Sequence, residues 1–171
     1  MGQLKENKIL KSIASYLNVQ NNAELEEVIK RKDTIIDDDK SGLIWTVLYL
    51  TKKKRSSLLG KSYEDEIVVR QWLEYASTHL SFISSLSSND IQSILKEINA
   101  VLSDKVYLLS NTMTIADVVL YYMLYPVMSK LSLYDKECYI HLSRWFNHVQ
   151  QDKRIRQSNS LLLFSRTLLY H

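Results

Sequence analysis

The chain has 171 residues, 46% of them apolar or aromatic and 24% charged, with a formal net charge of +3. A chain of this size buries about 70% of its unfolded surface on folding, so it needs neither a metal nor a disulfide staple. The single cysteine, Cys138, excludes a disulfide-built secreted module, and three glycines with one proline leave too little turn chemistry for an all-β fold.

Helix is therefore expected to dominate. Residues 1–17 mix Lys5, Glu6, Lys8 and Lys11 through the apolar positions, unlike a signal peptide, and no apolar run reaches the roughly 18–20 residues that span a bilayer. We expect a soluble, intracellular protein. Residues 1–63 carry twelve basic and eight acidic side chains, and residues 64–171 carry ten and eleven. That asymmetry is far from the footprint of a dedicated nucleic-acid binder.

Leu4, Leu10, Ile13 and Leu17 predict a helix over 3–17, with Lys5, Lys8 and Lys11 facing water. A polar loop follows over 18–25. Within Glu26–Asp39, Val28-Ile29 and Thr34-Ile35-Ile36 read as two short strands ended by three aspartates. Ser41 can cap a helix over about 42–53, and Arg55–Lys61 reads as a loop ended by Gly60. From Tyr63 onward the pattern is helical. Glu64, Asp65 and Glu66 suit a helix N-terminus, and Ile67, Val68, Trp72, Tyr75 and Leu80 form the expected core stripe. Ser88, Asn89 or Asp90 starts the next helix, with Ile91, Ile94, Leu95, Ile98, Val101 and Leu102 as its apolar positions.

Thr114-Ile115-Ala116-Asp117 then forms a capping box, in which hydroxyl and carboxylate reciprocally satisfy backbone donors at a helix start. The residues that follow, Val118 to Leu124, are apolar or aromatic on every face, the mark of a helix buried all round. Pro126 is expected to bend or end that run. Asp135 opens a helix holding Ile140, Leu142, Trp145, Phe146 and Val149, and a last amphipathic piece covers about Ser158–Leu169. A boundary near 56–63 divides a mixed first part, residues 1–57, from an all-α second part, residues 58–171.

Gln71-Trp72-Leu73-Glu74-Tyr75, Asp104–Leu108, the Thr114–Asp117 box with Leu120-Tyr121-Tyr122, and Ser143-Arg144-Trp145-Phe146 together resemble the elongation factor 1 epsilon family. The resemblance spans residues 58–157 and is supported earlier by Ser41-Gly42-Leu43. It implies a glutathione-transferase-like fold: a degenerate thioredoxin-like α/β part over 1–57 and a transferase-type helical domain over 58–171. It also implies a non-catalytic scaffold of the multi-tRNA-synthetase complex, without cofactor, that holds the transferase-like domains of methionyl-tRNA synthetase and the glutamyl-prolyl enzyme. A cytoplasmic location follows from the same resemblance, with a further nuclear role in DNA-damage signalling.

The residues themselves argue against glutathione chemistry. A transferase needs a Tyr, Ser or Cys after its first strand, whereas Ser12, Ser15 and Tyr16 fall within the first helix. Such an enzyme also uses a cis-proline, and Pro126 lies in the other domain. The acidic-Ser pair that binds the γ-glutamyl group reads Lys40-Ser41. His79, His141, His148 and His171 make no ligand set, so no metal is expected. Cys138 reads as an ordinary, partly buried thiol.

Arg144 sits at the edge of an apolar helix face, where arginine is favoured at interfaces. The family's matching arginine stacks against the glutamyl-prolyl partner; the competing reading is an internal salt bridge with Asp135 or Glu137. Ile44, Trp45, Leu48 and Tyr49 give their helix more apolar surface than one core face needs. In transferases that helix and the first helix of the second domain form the dimer surface, so Trp45, Tyr49, Arg70 and Glu74 are expected on the methionyl-tRNA synthetase side. Lys52-Lys53-Lys54-Arg55 reads as favourable charge at a helix C-terminus, with RNA contact or a nuclear address as its alternatives.

Overall fold

Helices form where the sequence sets apolar side chains three and four apart. The computed structural model describes residues 2–19 and 41–164. Helix α1 covers Gly2–Tyr16 and turns Leu10, Ile13 and Tyr16 inward, with Lys8 and Lys11 exposed. Helix α2 covers Ser41–Lys54, and its Leu43, Val47 and Leu50 are buried at helical spacing. The two short strands expected in Glu26–Asp39 lie outside the described residues, as do Lys40 and the side chain of Ser41. Among the described residues there is no strand, and one isolated bridge pairs Tyr107 with Ser110.

The loop expected after α2 is instead a 3-10 turn, Ser56–Leu59, because Leu58 and Leu59 are buried. Gly60 follows with φ of 100°, where a Cβ would stand 2.2 Å from the Cβ of Asp65. Only glycine fits that turn. It leads into helix α3, Tyr63–Tyr75, whose start is a capping box between Ser62 and Asp65.

The inward stripe of α3 is Val69, Leu73, Ala76 and Leu80, continuing through a π-helical turn at Ala76–Leu80. Of the expected stripe, only Leu80 is buried; Ile67 is exposed, and Val68, Trp72 and Tyr75 are half-buried. The helix carries two apolar stripes, and the one with the smaller side chains Val69 and Ala76 packs against the central helix.

Helix α4, Ser88–Val101, starts at Ser88, the first of the expected positions, and is capped by Ser87, which has the extended backbone that a cap requires. Helix α5, Ile115–Met128, is buried on every face, as its sequence demands, and packs against α1, α3 and a later helix. It runs through Pro126 to Met128 rather than ending there. In the last turn the proline forfeits a single backbone bond, and burial of Val127 and Met128 outweighs it.

The single helix expected from Asp135 is two. Helix α6, Leu133–Cys138, is capped by Ser132 with Asp135 as the reciprocal partner. The chain breaks at Tyr139 (φ −111°, ψ 56°), and helix α7 covers Ile140–Gln150. Asn99 of α4 caps α7, its Oδ1 accepting from the N–H groups of His141 and Leu142 at 2.9 and 3.1 Å. Leu142, Trp145, Phe146 and Val149 are buried, but Ile140, expected inward, is 63% exposed because it precedes the capped turn.

A single turn, α8 (Lys153–Arg156), is capped by Asp152. The amphipathic helix expected over Ser158–Leu169 does not form in its described part. Residues 158–164 lack regular structure because side chains take up their backbone. Gln150 both donates to the Leu162 carbonyl and accepts from its N–H, Tyr125 donates to the Ser160 carbonyl, and Lys136 donates to that of Leu163.

Asp117 holds the centre. Its carboxylate is fully buried and accepts four hydrogen bonds: the N–H and hydroxyl of Thr114, the Leu108 N–H and the Trp145 Nε1–H, at 2.8 to 3.0 Å. Burial pushes its pKa up, and those donors pull the other way. The expected cap is thus also a clamp that joins α5, α7 and the loop between α4 and α5.

Replacing Asp117 with Asn would aim an amide NH₂ at several of these donors. We expect Asp117→Asn to cost about 3 kcal/mol or more. For this chain size that is a fall of roughly 6–12 °C in Tm, measurable by a near-ultraviolet melt of the tryptophan signal.

Candidate partner-binding surfaces

Helices α2 and α3 lie side by side because their buried stripes share one core. Their outer faces leave a groove of about 370 Å³. Trp45, Tyr49, Arg70 and Glu74, the four residues expected on one partner surface, all line it. The Trp45 and Tyr49 rings are stacked, with centroids 5.2 Å apart and planes 12° apart. Trp45 is half-buried, so part of its ring belongs to the core's edge and part is offered outward.

The groove carries charge of both signs, with Lys52 and Arg70 alongside Glu66 and Glu74. Tyr63 and Ile67, which the sequence reading did not assign to this surface, are 74% and 41% exposed. They continue the Arg70 and Glu74 stripe by one and two turns. The signal is their four-residue spacing; Ile67, expected in the core stripe, faces outward instead.

Arg144 lies on a second face that shares no lining residue with the first. Its guanidinium does not pair with Asp135 or Glu137. Nη2 donates to the carbonyls of Leu102 at 2.7 Å and Lys105 at 2.8 Å, at the C-terminal end of α4. Cationic donors there satisfy orphan carbonyls and suit the negative pole of the helix. The neighbouring His148 Nε2 meets the Tyr107 hydroxyl at 2.8 Å, and Val106 is exposed beside them. The face is a shallow depression with an arginine fixed at its rim.

The basic run does not act as a unit. Lys52 faces the α2–α3 groove, while Lys53 and Lys54 are exposed on the last turn of α2. Arg55 turns back over the buried Tyr16 ring, 5.3 Å from its centroid. Arg154 of α8 approaches the same ring at 6.0 Å and pairs with Asp152 at 2.8 Å. Burial holds the Tyr16 phenol above its ordinary pKa.

Ser12, Ser15 and Tyr16 all lie on α1, as read from the sequence. A cavity of about 260 Å³ between α1, the π-helical turn and α5 has apolar walls including Leu80, Ile83 and Met123. Its polar lining is hydroxyl, amide and one lysine, Lys8, which provides no acid–base pair. His79 is exposed and stacks on Tyr75. His171 lies outside the described residues, among which no group of three metal-ligating side chains occurs. Cys138 is exposed rather than half-buried, because Tyr139 takes the inward position at the break. No described helix is long and apolar enough to cross a membrane.

Residues 66–153 match the family described as nuclear-export cofactor Arc1p. The chain is 40% identical over 131 residues to human eukaryotic translation elongation factor 1 epsilon-1, covering 76% of this chain and 74% of that protein. It is 39% identical over 130 residues to the mouse protein of the same name, covering 75% and 74%. A Chinese hamster (Cricetulus griseus) bifunctional glutamate/proline–tRNA ligase is 28% identical over 102 residues, which are 59% of this chain and 6% of the ligase.

Two outcomes follow from this geometry. Arg144→Ala should lower stability by about 1 kcal/mol, since the lost charged donors are partly replaced by water at an exposed site; urea unfolding should show a lower midpoint with an unchanged slope. Asp152 is held below its ordinary pKa by the hydrogen bond from Arg154. A depressed folded-state pKa contributes stability above the unfolded value near 3.9, and that contribution is lost as pH falls through the folded value. Stability measured from pH 5 to pH 2 should therefore fall less steeply in Asp152→Ala than in the parent chain.

Proposed function

The chain belongs to the eukaryotic translation elongation factor 1 epsilon family, and from that premise we propose that it is a non-catalytic adaptor that docks aminoacyl-tRNA synthetases into a multi-synthetase complex. The observation that carries this reading is the presence of two separate surfaces on one small chain. One is the α2–α3 groove with Trp45, Tyr49, Arg70 and Glu74; the other is the α7 face with Arg144. One chain with two such faces can bridge two partners.

On this reading the fold is glutathione-transferase-like, and each face takes a transferase-like domain of a synthetase. Methionyl-tRNA synthetase docks on the groove, where stacked aromatics give area at low entropic cost and mixed charges set the register. The glutamyl-prolyl enzyme docks on the α7 face. The likeness of part of a glutamate/proline–tRNA ligase to this chain supports such pairing of similar helical units. In Arg144, Nη2 is held on the α4 carbonyls, so its guanidinium plane is fixed before any partner arrives. Standard interfaces bury about 1,200–2,000 Å² in total, and each face would contribute half of such an area.

Size-exclusion chromatography with light scattering tests the reading. The chain alone should run as a monomer and should form a one-to-one complex with the transferase-like domain of each synthetase. Reversing both exposed charges of the groove, Arg70→Glu with Glu74→Arg, should abolish only the methionyl complex. Arg144→Ala should weaken only the glutamyl-prolyl complex, by tenfold or more, while the chain stays folded. A stable homodimer that takes neither partner would overturn the adaptor reading. Retention on immobilised glutathione with turnover of an electrophile would favour an enzyme instead.

A further inference from the structure

The cavity between α1, the π-helical turn and α5 belongs to neither docking face, for it shares no lining residue with the α2–α3 groove or the Arg144 depression. Leu80, Ile83 and Met123 are buried in its wall. Tyr122 and Tyr125 also line it, and their hydroxyls donate elsewhere, to the carbonyls of Ile155 and Ser160. Their rings therefore extend the apolar wall. The chain enters this wall through the π-helical turn and a 3-10 turn, Ile83–Ser85. A π turn interrupts the regular helix, and such turns are found most often beside functional sites. Charge in the lining has one sign: Lys8 is exposed at the rim, and no carboxylate stands among the described lining residues. Ser81, also in the lining, has its hydroxyl buried with no partner among the described residues, a group that a bound oxygen would relieve. At about 260 Å³ the cavity exceeds the roughly 150 Å³ that accommodates benzene and falls short of the roughly 300 Å³ at which drug-sized pockets begin.

We propose that this cavity is a binding site for a small monocarboxylate with an apolar body, of the class of the medium-chain fatty acids. The hydrocarbon chain lies among Leu80, Ile83 and Met123, and the carboxylate meets Lys8 at the rim. Burial of the chain supplies the affinity, because each methylene leaves water for an apolar wall. The lysine chooses the head group: a carboxylate gains an ion pair there, whereas an amine would meet a like charge. A polar tripeptide such as glutathione is excluded by the same chemistry. Its two carboxylates and its ammonium would find one lysine and no acid, and its backbone would lie against rings and aliphatic side chains.

This site is independent of the adaptor reading, and the full chain is tested without any synthetase. Octanoate is titrated by isothermal calorimetry. One equivalent should bind, with a dissociation constant on the order of 0.1 mM. From butanoate to octanoate each added methylene should tighten binding about fourfold, and palmitate, too long for the cavity, should gain nothing further. Octan-1-ol should bind the parent chain more weakly than octanoate. In Lys8→Gln that preference should vanish, with octanoate weakened about threefold to fivefold, as befits an ion pair at an exposed rim. Ser84 is exposed on the opposite rim, and Ser84→Trp, which sets an indole over the mouth, should weaken every acid at least tenfold. Circular dichroism checks the fold of both variants, and Lys8→Gln, at an exposed position, decides the matter if Ser84→Trp fails to fold. The proposal is overturned if octanoate does not bind, if affinity keeps rising through palmitate, or if folded Ser84→Trp binds as the parent does. Equal affinity for octanoate and octan-1-ol in the parent, or octanoate binding unchanged in Lys8→Gln, would overturn the assignment to a carboxylate. Displacement of octanoate by glutathione would overturn it in favour of a peptide site.

Discussion

A buried carboxylate with four donors pointed at it sets the terms for the rest of the molecule. Asp117 cannot be moved into water without pulling Trp145 out of the core, nor left in place if the chain before α5 peels away from its Leu108 N–H. The clamp joins elements from three parts of the chain: the cap of the central helix, the segment before it and α7. Hydrophobic burial could hold these pieces together in several registers, since Leu, Val and Ile interchange at modest cost. A carboxylate in a dry site accepts one arrangement, because any lost donor leaves charge unsatisfied. Arg144 is the residue before Trp145, so the same clamp fixes where that guanidinium emerges.

The two proposed docking faces differ in how they are made ready. The α2–α3 groove is a gap between helices, and its aromatic pair is already stacked. The α7 face is a shallow depression, and its arginine is tethered through backbone carbonyls. In both, the groups that would meet a partner are held before it comes, which lowers the ordering cost of association. Holding arginine on carbonyls rather than on a carboxylate leaves its charge uncancelled.

Much of this was legible in the residues. The Thr114–Asp117 box and the apolar run after it identified the central helix, and the amphipathic spacing of α4 and α7 identified their buried sides. Motifs over 58–157 placed the chain in its family. The errors have a common physical origin. Periodicity located helices but could not choose between the two apolar stripes of α3, so Ile67 was taken for core while Val69 and Ala76 filled it. Nor could local signals show that Gln150 would take the backbone bonds of Leu162, which removed the reason for a helix after Ser158. The break at Tyr139 was hidden because the apolar spacing continues across it. At the surfaces, the four groove residues converged as expected, whereas the partners of Arg144 and Arg55 were unreadable, being a pair of distant carbonyls and a tyrosine ring nearly forty residues away.

The cap that Asn99 places on α7 also bears on the order in which the chain assembles. An isolated helix of eleven residues is marginal in water, and one that begins beside a break, without a cap of its own, is worse placed still. Helix α7 receives its cap from α4, more than forty residues earlier, so its first turn is secured only after that loop has closed. The contact is non-local, and the entropy of closing it is spent before α7 gains from it. Helix α7 is thus a late-forming element, and a nascent chain can have its first helices in place well before the Arg144 face exists.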